Sequence, residues 1–312
     1  MRLAHLYSLA AVGGKRRAIE NLSRSSHNSA MTIDTHAHVI APVSARYPRA
    51  PIGGRASDWS QTRPVDAPGM IAAMDAAGVA KTVLVQASTC YGHDNSYVAD
   101  AVAAHPDRFV GVCSVDTLAP DAATVLRHWL DSGFVGLRIF TTGSTMAGQQ
   151  LEILDDPRGF PVWEAAQDAG IPICLQMTAK ALPQVAMLAQ RFPRARIILD
   201  HFARPDLADG PPYARAAGLW ALARLSNVYF KASPHNFAAA NTGKATAASF
   251  FGRAVKEFGA SRICWGSNFP AAEGSLAELL RLARENFAAL SAEDQDWVFA
   301  KTALSLYPAL KA

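Results

Sequence analysis

Nowhere in the 312 residues do five or six like charges stand together, and the lysines and arginines are scattered along the chain. The basic stripe of a nucleic-acid or membrane-surface binder is therefore missing, although a net charge of +4 and a pI near 8.9 leave the chain mildly basic. No segment approaches the ~20 apolar residues of a membrane-spanning helix. The cysteines number only four, Cys90, Cys113, Cys174 and Cys264, each within or at the end of an apolar run, with no CxxC pair. That spacing offers no disulfide framework and favours reduced, buried thiols in a cytoplasmic protein over a catalytic cysteine. No GxGxxG follows any strand-like run, so a dinucleotide-binding sheet has little support. With 50% hydrophobic and 18% charged residues, the remainder is ordinary globular composition.

Residues 1–30 stand apart. A short apolar patch interrupted by His5 and Tyr7 leads into "GGKRR" and a serine-rich stretch, with no small-residue cleavage pattern. This does not read as a secretory signal. The expectation is an N-terminal extension or a mis-set start, disordered or weakly helical, with a transit peptide as the lesser alternative. The globular pattern begins at Met31, and 31–312 reads as one domain.

From there, eight short apolar runs alternate with helix-like segments. They are "TIDTHAH" (32–38), "KTVLVQAS" (81–88), "FVGVCSVD" (109–116), "VGLRIF" (135–140), "IPICLQM" (171–177), "RIILDH" (196–201), "NVYFKAS" (227–233) and "RICWGSN" (262–268). Most are nearly continuous rather than alternating, as parallel strands covered by helices should be. The segments between, such as "APGMIAAMDAAGV" and "LPQVAMLAQRFP", are amphipathic and stop at Gly or Pro. Strand–helix alternation repeated eight times predicts an α/β fold, a single-domain (β/α)8 TIM barrel. "SAEDQDWVFAKTALSLY" reads as one further helix packed on the outside.

Barrel enzymes keep their chemistry at the C-terminal ends of the strands, so the polar residues closing these runs become the candidates. His36 and His38, two apart in the first strand, point to one face; Asp34 shares that parity and could orient an imidazole. His201 closes the sixth run, and strand parity sends its neighbour Asp200 to the opposite, helix-facing side. Arg138 puts a guanidinium inside an apolar strand. Burying it unpaired would be costly, so it meets either a structural carboxylate or a bound anion. Lys231 repeats that argument more weakly, since lysine can snorkel. Gln176 and Asn268 end the fifth and eighth runs. Asp94 and Asn95 read as a helix cap, and His93 as exposed. The long segment 39–67, with Tyr47, Trp59, Arg46, Arg49, Arg55 and Arg63, suggests a lid whose arginines favour an acidic substrate.

"DTHAH", "DH" and "WGSNFP" at the first, sixth and eighth strand ends together resemble the amidohydrolase superfamily. "GVAKTVLVQAS", "DNSYVADAVAAHPDRFVGVCSVD" and "GLRIF" bring the chain closer to the branch containing 2-pyrone-4,6-dicarboxylate lactonase and sugar-acid lactonases. The likeness covers roughly residues 31–310. It implies a distorted (β/α)8 barrel and hydrolysis of a lactone or related acyl bond. In metal-dependent members the HxH pair is joined by a histidine from the fifth strand, or a modified lysine from the fourth, and by an aspartate from the eighth. Here those positions carry Gln176, Arg138 and Asn268. The resemblance thus points to the lactonase branch, which works without metal.

Three readings follow. The first is a metal-independent hydrolase of a small anionic lactone. In it His36, His38 and His201 polarise the carbonyl and move protons, Asn268 positions water, and Arg138, Lys231 and Gln176 bind substrate. The second is a metal-dependent hydrolase or decarboxylase with one zinc or manganese ion at His36 and His38. The third is a ligand-binding homologue that lost catalysis through Asn268, because a carboxamide cannot accept a proton at neutral pH. All three take a small molecule, with no nucleic acid and no membrane, and a homodimer would be unsurprising.

Overall fold

The computed structural model describes residues 31–150 and 152–312; the expectation for 1–30 lies outside the described residues. Eight parallel strands stand in chain order: β1 (Ile33–Ala37), β2 (Lys81–Val85), β3 (Phe109–Ser114), β4 (Phe134–Phe140), β5 (Pro172–Gln176), β6 (Arg196–Leu199), β7 (Val228–Ala232) and β8 (Ile263–Trp265). Each falls inside its apolar run except β4, which starts one residue earlier, at Phe134. Between them lie helices such as Ala67–Ala77, capped by the Asp66 side chain on Gly69 N–H and stopped by left-handed Gly78, and Leu182–Arg191.

The ring closes loosely. Beyond Trp265 the chain crosses to β1 through Asn268 N–H to the His36 carbonyl (2.7 Å) and His38 N–H to the Phe269 carbonyl (2.8 Å). A Cβ at Gly266 would lie 2.6 Å from His36 Cβ, so only glycine lets the two segments come this near. The result is a nearly closed (β/α)8 barrel.

Two apolar layers hold it. Leu137, Ile197, Phe230, Trp265 and their neighbours pack outward against the helices. Ile33, Val83, Val112, Ile198 and Cys264 fill the interior together with Leu306, Tyr307 and Leu310. The C-terminal helical segment therefore corrects the expectation of purely external packing. It runs from Ala292 to Leu306 with a π turn at Trp297–Lys301, then folds Tyr307 and Leu310 under the barrel. Arg196, the first residue of β6, bonds the Ser305 carbonyl (3.0 Å), which places this segment at the N-terminal ends of the strands. All four cysteines are buried and unpaired. No helix among the described residues is long and apolar enough to cross a membrane.

Candidate active site

A cavity of about 360 Å³ opens at the C-terminal ends of the strands, within the range that holds small ligands. His38, Arg138, Gln176, His201 and Asn268 all line it, so residues distant along the chain share one chamber. His36 lies just beneath, fully buried, its ring 4.9 Å from that of His38 and 5.1 Å from that of His201.

Charge at the floor centres on Asp200. Its carboxylate meets Lys231 Nζ at 3.0 Å, Arg138 Nε at 3.2 Å and His36 Nδ1 at 3.4 Å, all buried. Burial alone would raise its pKa, but Lys231 first, with His36 and Arg138, holds it well below the usual carboxylate range. Lys231 is 1% exposed; burial would strip its proton, yet Asp200 keeps it raised and charged. The floor thus carries two cations on one anion.

This overturns the parity argument for Asp200. From His201 to Arg204 the backbone has φ of 55°, 50°, 58° and 52°, a left-handed turn built without glycine. Each such residue costs ~1–2 kcal/mol. Asp200 keeps the alternation of β6 and faces inward with Ile198, whereas the turn abandons that alternation from His201 on, so His201 reaches the site as well. Strain of this kind is characteristic of functional positions, and here Asn236 Nδ2 to the His201 carbonyl (2.7 Å) helps to hold it. The His201 ring is fixed by Nδ1 to Ser233 Oγ, 2.7 Å.

The two histidines of β1 are held by different partners. His38 Nδ1 lies 2.7 Å from the Val85 carbonyl, which can only accept, so Nδ1 carries the proton and Nε2 keeps its lone pair. His36 Nδ1 stands between the Lys231 ammonium at 3.3 Å, which can only donate, and the Asp200 carboxylate at 3.4 Å, which can only accept, so these contacts fit either tautomer. The His36 Nε2 is buried without a hydrogen-bond partner among the described residues. Burial pushes the His36 pKa down to about 4, and burial followed by the charges of His36 and Arg138 pushes His38 well below its ordinary value. His201 is lowered likewise by burial.

Several expectations change on contact with this geometry. Lys231 is spent on Asp200 and does not line the cavity, so it is a floor cation rather than a substrate binder. Gln176 Oε1 accepts from Arg138 Nη2 (3.2 Å), buttressing the guanidinium. Arg138 satisfies both alternatives at once, pairing with Asp200 while facing the cavity. Asp34 accepts from Ser267 and from the His36 backbone N–H rather than from an imidazole, because β1 is irregular between Asp34 and Ala37.

Around the site, Asp94 caps the following helix by accepting from Ser96 N–H, whereas Asn95 turns to the Ser114 backbone; His93 is exposed. Segment 39–67 does roof the chamber through Trp59, which stacks on His38 at 5.4 Å and 28°. None of its four arginines lines the cavity. Arg46 pairs with Asp100, Arg49 with Cys90 Sγ, Arg55 with Asp58, and Arg63 with Glu273. Of the lining residues that escaped sequence reasoning, two are ionisable, Arg204 and His235, the latter 4.9 Å from the His201 ring.

The amidohydrolase family model matches residues 33–309. The chain belongs to this family. An L-fucono-1,5-lactonase of Burkholderia ambifaria is 31% identical to this amidohydrolase over 196 residues, 62% of the chain and 66%, just under two thirds, of that relative's length. Among solved structures, a probable 2-pyrone-4,6-dicarboxylic acid hydrolase of Acinetobacter baumannii with citric acid bound is 19% identical. It superposes at a TM-score of 0.68, covering 89% of this chain and 99% of that one. An amidohydrolase of Burkholderia multivorans with bound zinc is 21% identical at a TM-score of 0.70, with the same coverage. In this amidohydrolase no three His, Cys, Asp or Glu side chains among the described residues are grouped to hold an ion.

Proposed function

We propose that this chain hydrolyses a small anionic lactone without a metal ion. The observation that carries the reading is the pairing of His38, a lone-pair imidazole fixed on the Val85 carbonyl, with a guanidinium, Arg138, across one small chamber. Water held by Asn268 loses a proton to His38 Nε2 as its oxygen attacks the lactone carbonyl. The developing oxyanion is met by Arg138. Collapse breaks the ring C–O bond, and the departing alkoxide takes the proton back from His38. Lactone and water thus become a hydroxy acid. A positioned base of this kind supplies ~10²- to 10⁴-fold.

The donor set argues against a resident metal. A catalytic zinc takes three protein ligands, and each imidazole must offer a lone pair. Asp200 is already held by Lys231 and Arg138, whose charges would repel a divalent ion, and Arg138, Gln176 and Asn268 at the other strand ends supply no anionic ligand. One observation favours the alternative of metal-assisted hydrolysis or decarboxylation at His36 and His38: the partnerless Nε2 of His36.

A screen of sugar-acid lactones and cyclic dicarboxylate esters, with and without EDTA and alongside elemental analysis, tests both. Turnover unchanged in chelator supports the proposal. Stoichiometric zinc or manganese, with activity returning only on metal addition, rejects it.

A further inference from the structure

Arg204 is the one charged group at the cavity that neither the floor network nor the proposed chemistry uses. It lines the chamber, and its side chain has no hydrogen bond or ion pair among the described residues. No carboxylate among the described residues lines the chamber either. Burial and then the Arg138 charge lower the Arg204 pKa against the pull of Asp200, and burial followed by the Arg204 charge lowers His235. The left-handed turn holds Arg204 there, with its backbone N–H on the His201 carbonyl at 2.8 Å. Asp200 answers only one of the two floor cations. Adding Arg204 leaves two positive charges uncompensated around 360 Å³.

We infer that Arg204 is the specificity-determining residue of this site, its guanidinium taking a substrate carboxylate separate from the bond that is broken. The substrate class is then a lactone bearing a free acid, whose hydrolysis yields a dicarboxylate, rather than a neutral sugar lactone. This rests on the lactone-hydrolase reading for the bond cleaved but not for the anion held.

The test compares wild type, Arg204→Met and Arg204→Lys. Turnover of D-glucaro-1,4-lactone, which carries a free carboxylate, is set against neutral D-glucono-1,5-lactone. Calorimetric binding of D-glucarate is set against D-gluconate, which has one carboxylate fewer. A charge-assisted, fork-like contact predicts a KM for the acid lactone raised about tenfold to a hundredfold in Arg204→Met. There kcat stays within about threefold, lysine restores part of the loss, and the neutral lactone is unaffected. Wild type should bind glucarate at least about tenfold tighter than gluconate, and Arg204→Met should erase the difference. Equal losses on both substrates, or no preference between the two acids in wild type, overturn the assignment while leaving lactone hydrolysis standing. If neither lactone is cleaved but the preference for glucarate vanishes in Arg204→Met, the hydrolase reading fails and the subsite remains.

Discussion

Replacing Asp200 by asparagine keeps the shape of the floor and removes the carboxylate that pairs with Lys231 and Arg138. Lys231 and Arg138, at 3.0 and 3.2 Å from that carboxylate, would then share the barrel centre as buried like charges. Removing one partner of a buried pair costs ~3–5 kcal/mol. For a domain of this size each kcal/mol moves Tm by roughly 2 °C, so the melting point should fall by about 6–10 °C. Burial, no longer opposed, pulls the Lys231 pKa below its unfolded value. The variant should then gain stability as pH rises from neutral toward 10, since the unfolded chain binds the extra proton there. Wild type, with Lys231 raised, shows no such gain. Adding Lys231→Met to Asp200→Asn removes the stranded ammonium and should recover about 2 kcal/mol or more relative to the sum of the single changes. Thermal and urea melts across pH measure all of this. A melting point within 1 °C of wild type, or strict additivity in the double variant, would refute the account of Asp200 as the hub.

Further outcomes follow from the same geometry. Because His36 titrates near 4 in the fold against an ordinary value near 6.5, the unfolded chain takes up its proton first as pH falls. Stability is complete above about pH 6.5 and drops by about 3 kcal/mol by pH 4, visible in acid melts. With His38 held well below its ordinary value by burial, turnover should stay level from pH 8 down through 6.5; an acid limb centred near 6.5 would show that His38 is not the base. Asn268→Asp places an anion in a chamber that gathers anions, so KM should rise with at most a few-fold gain in kcat. A gain beyond about a hundredfold would move the role of base from His38 to position 268. Gly266→Ala pushes a methyl into His36 Cβ and should cost ~1–3 kcal/mol in urea melts.

The barrel was legible because parallel strands sheathed by helices must be apolar on both faces, and eight such runs leave few other topologies. His36, His38, Arg138, Gln176, His201 and Asn268 were legible for a related reason, since a polar residue closing such a run must face something. Asp200 was misread because parity was counted from His201, which reaches the site only through a left-handed turn, and "DHFAR" contains no glycine to mark that turn; counted from Ile198, Asp200 faces inward. Arg204 and His235 sit past their strands, where no period applies. The arginines of segment 39–67 show the converse: charge in a loop carries no direction, and Asp100, Cys90, Asp58 and Glu273 claim them first.

Tyr307 and Leu310, tucked among the interior side chains of the barrel, stopper its lower end. Whatever enters the chamber must leave by the doorway it came through, beneath Trp59. A freshly made dicarboxylate would exit past the same guanidinium that drew its precursor inward, so departure rather than bond breaking is where this architecture would set the pace.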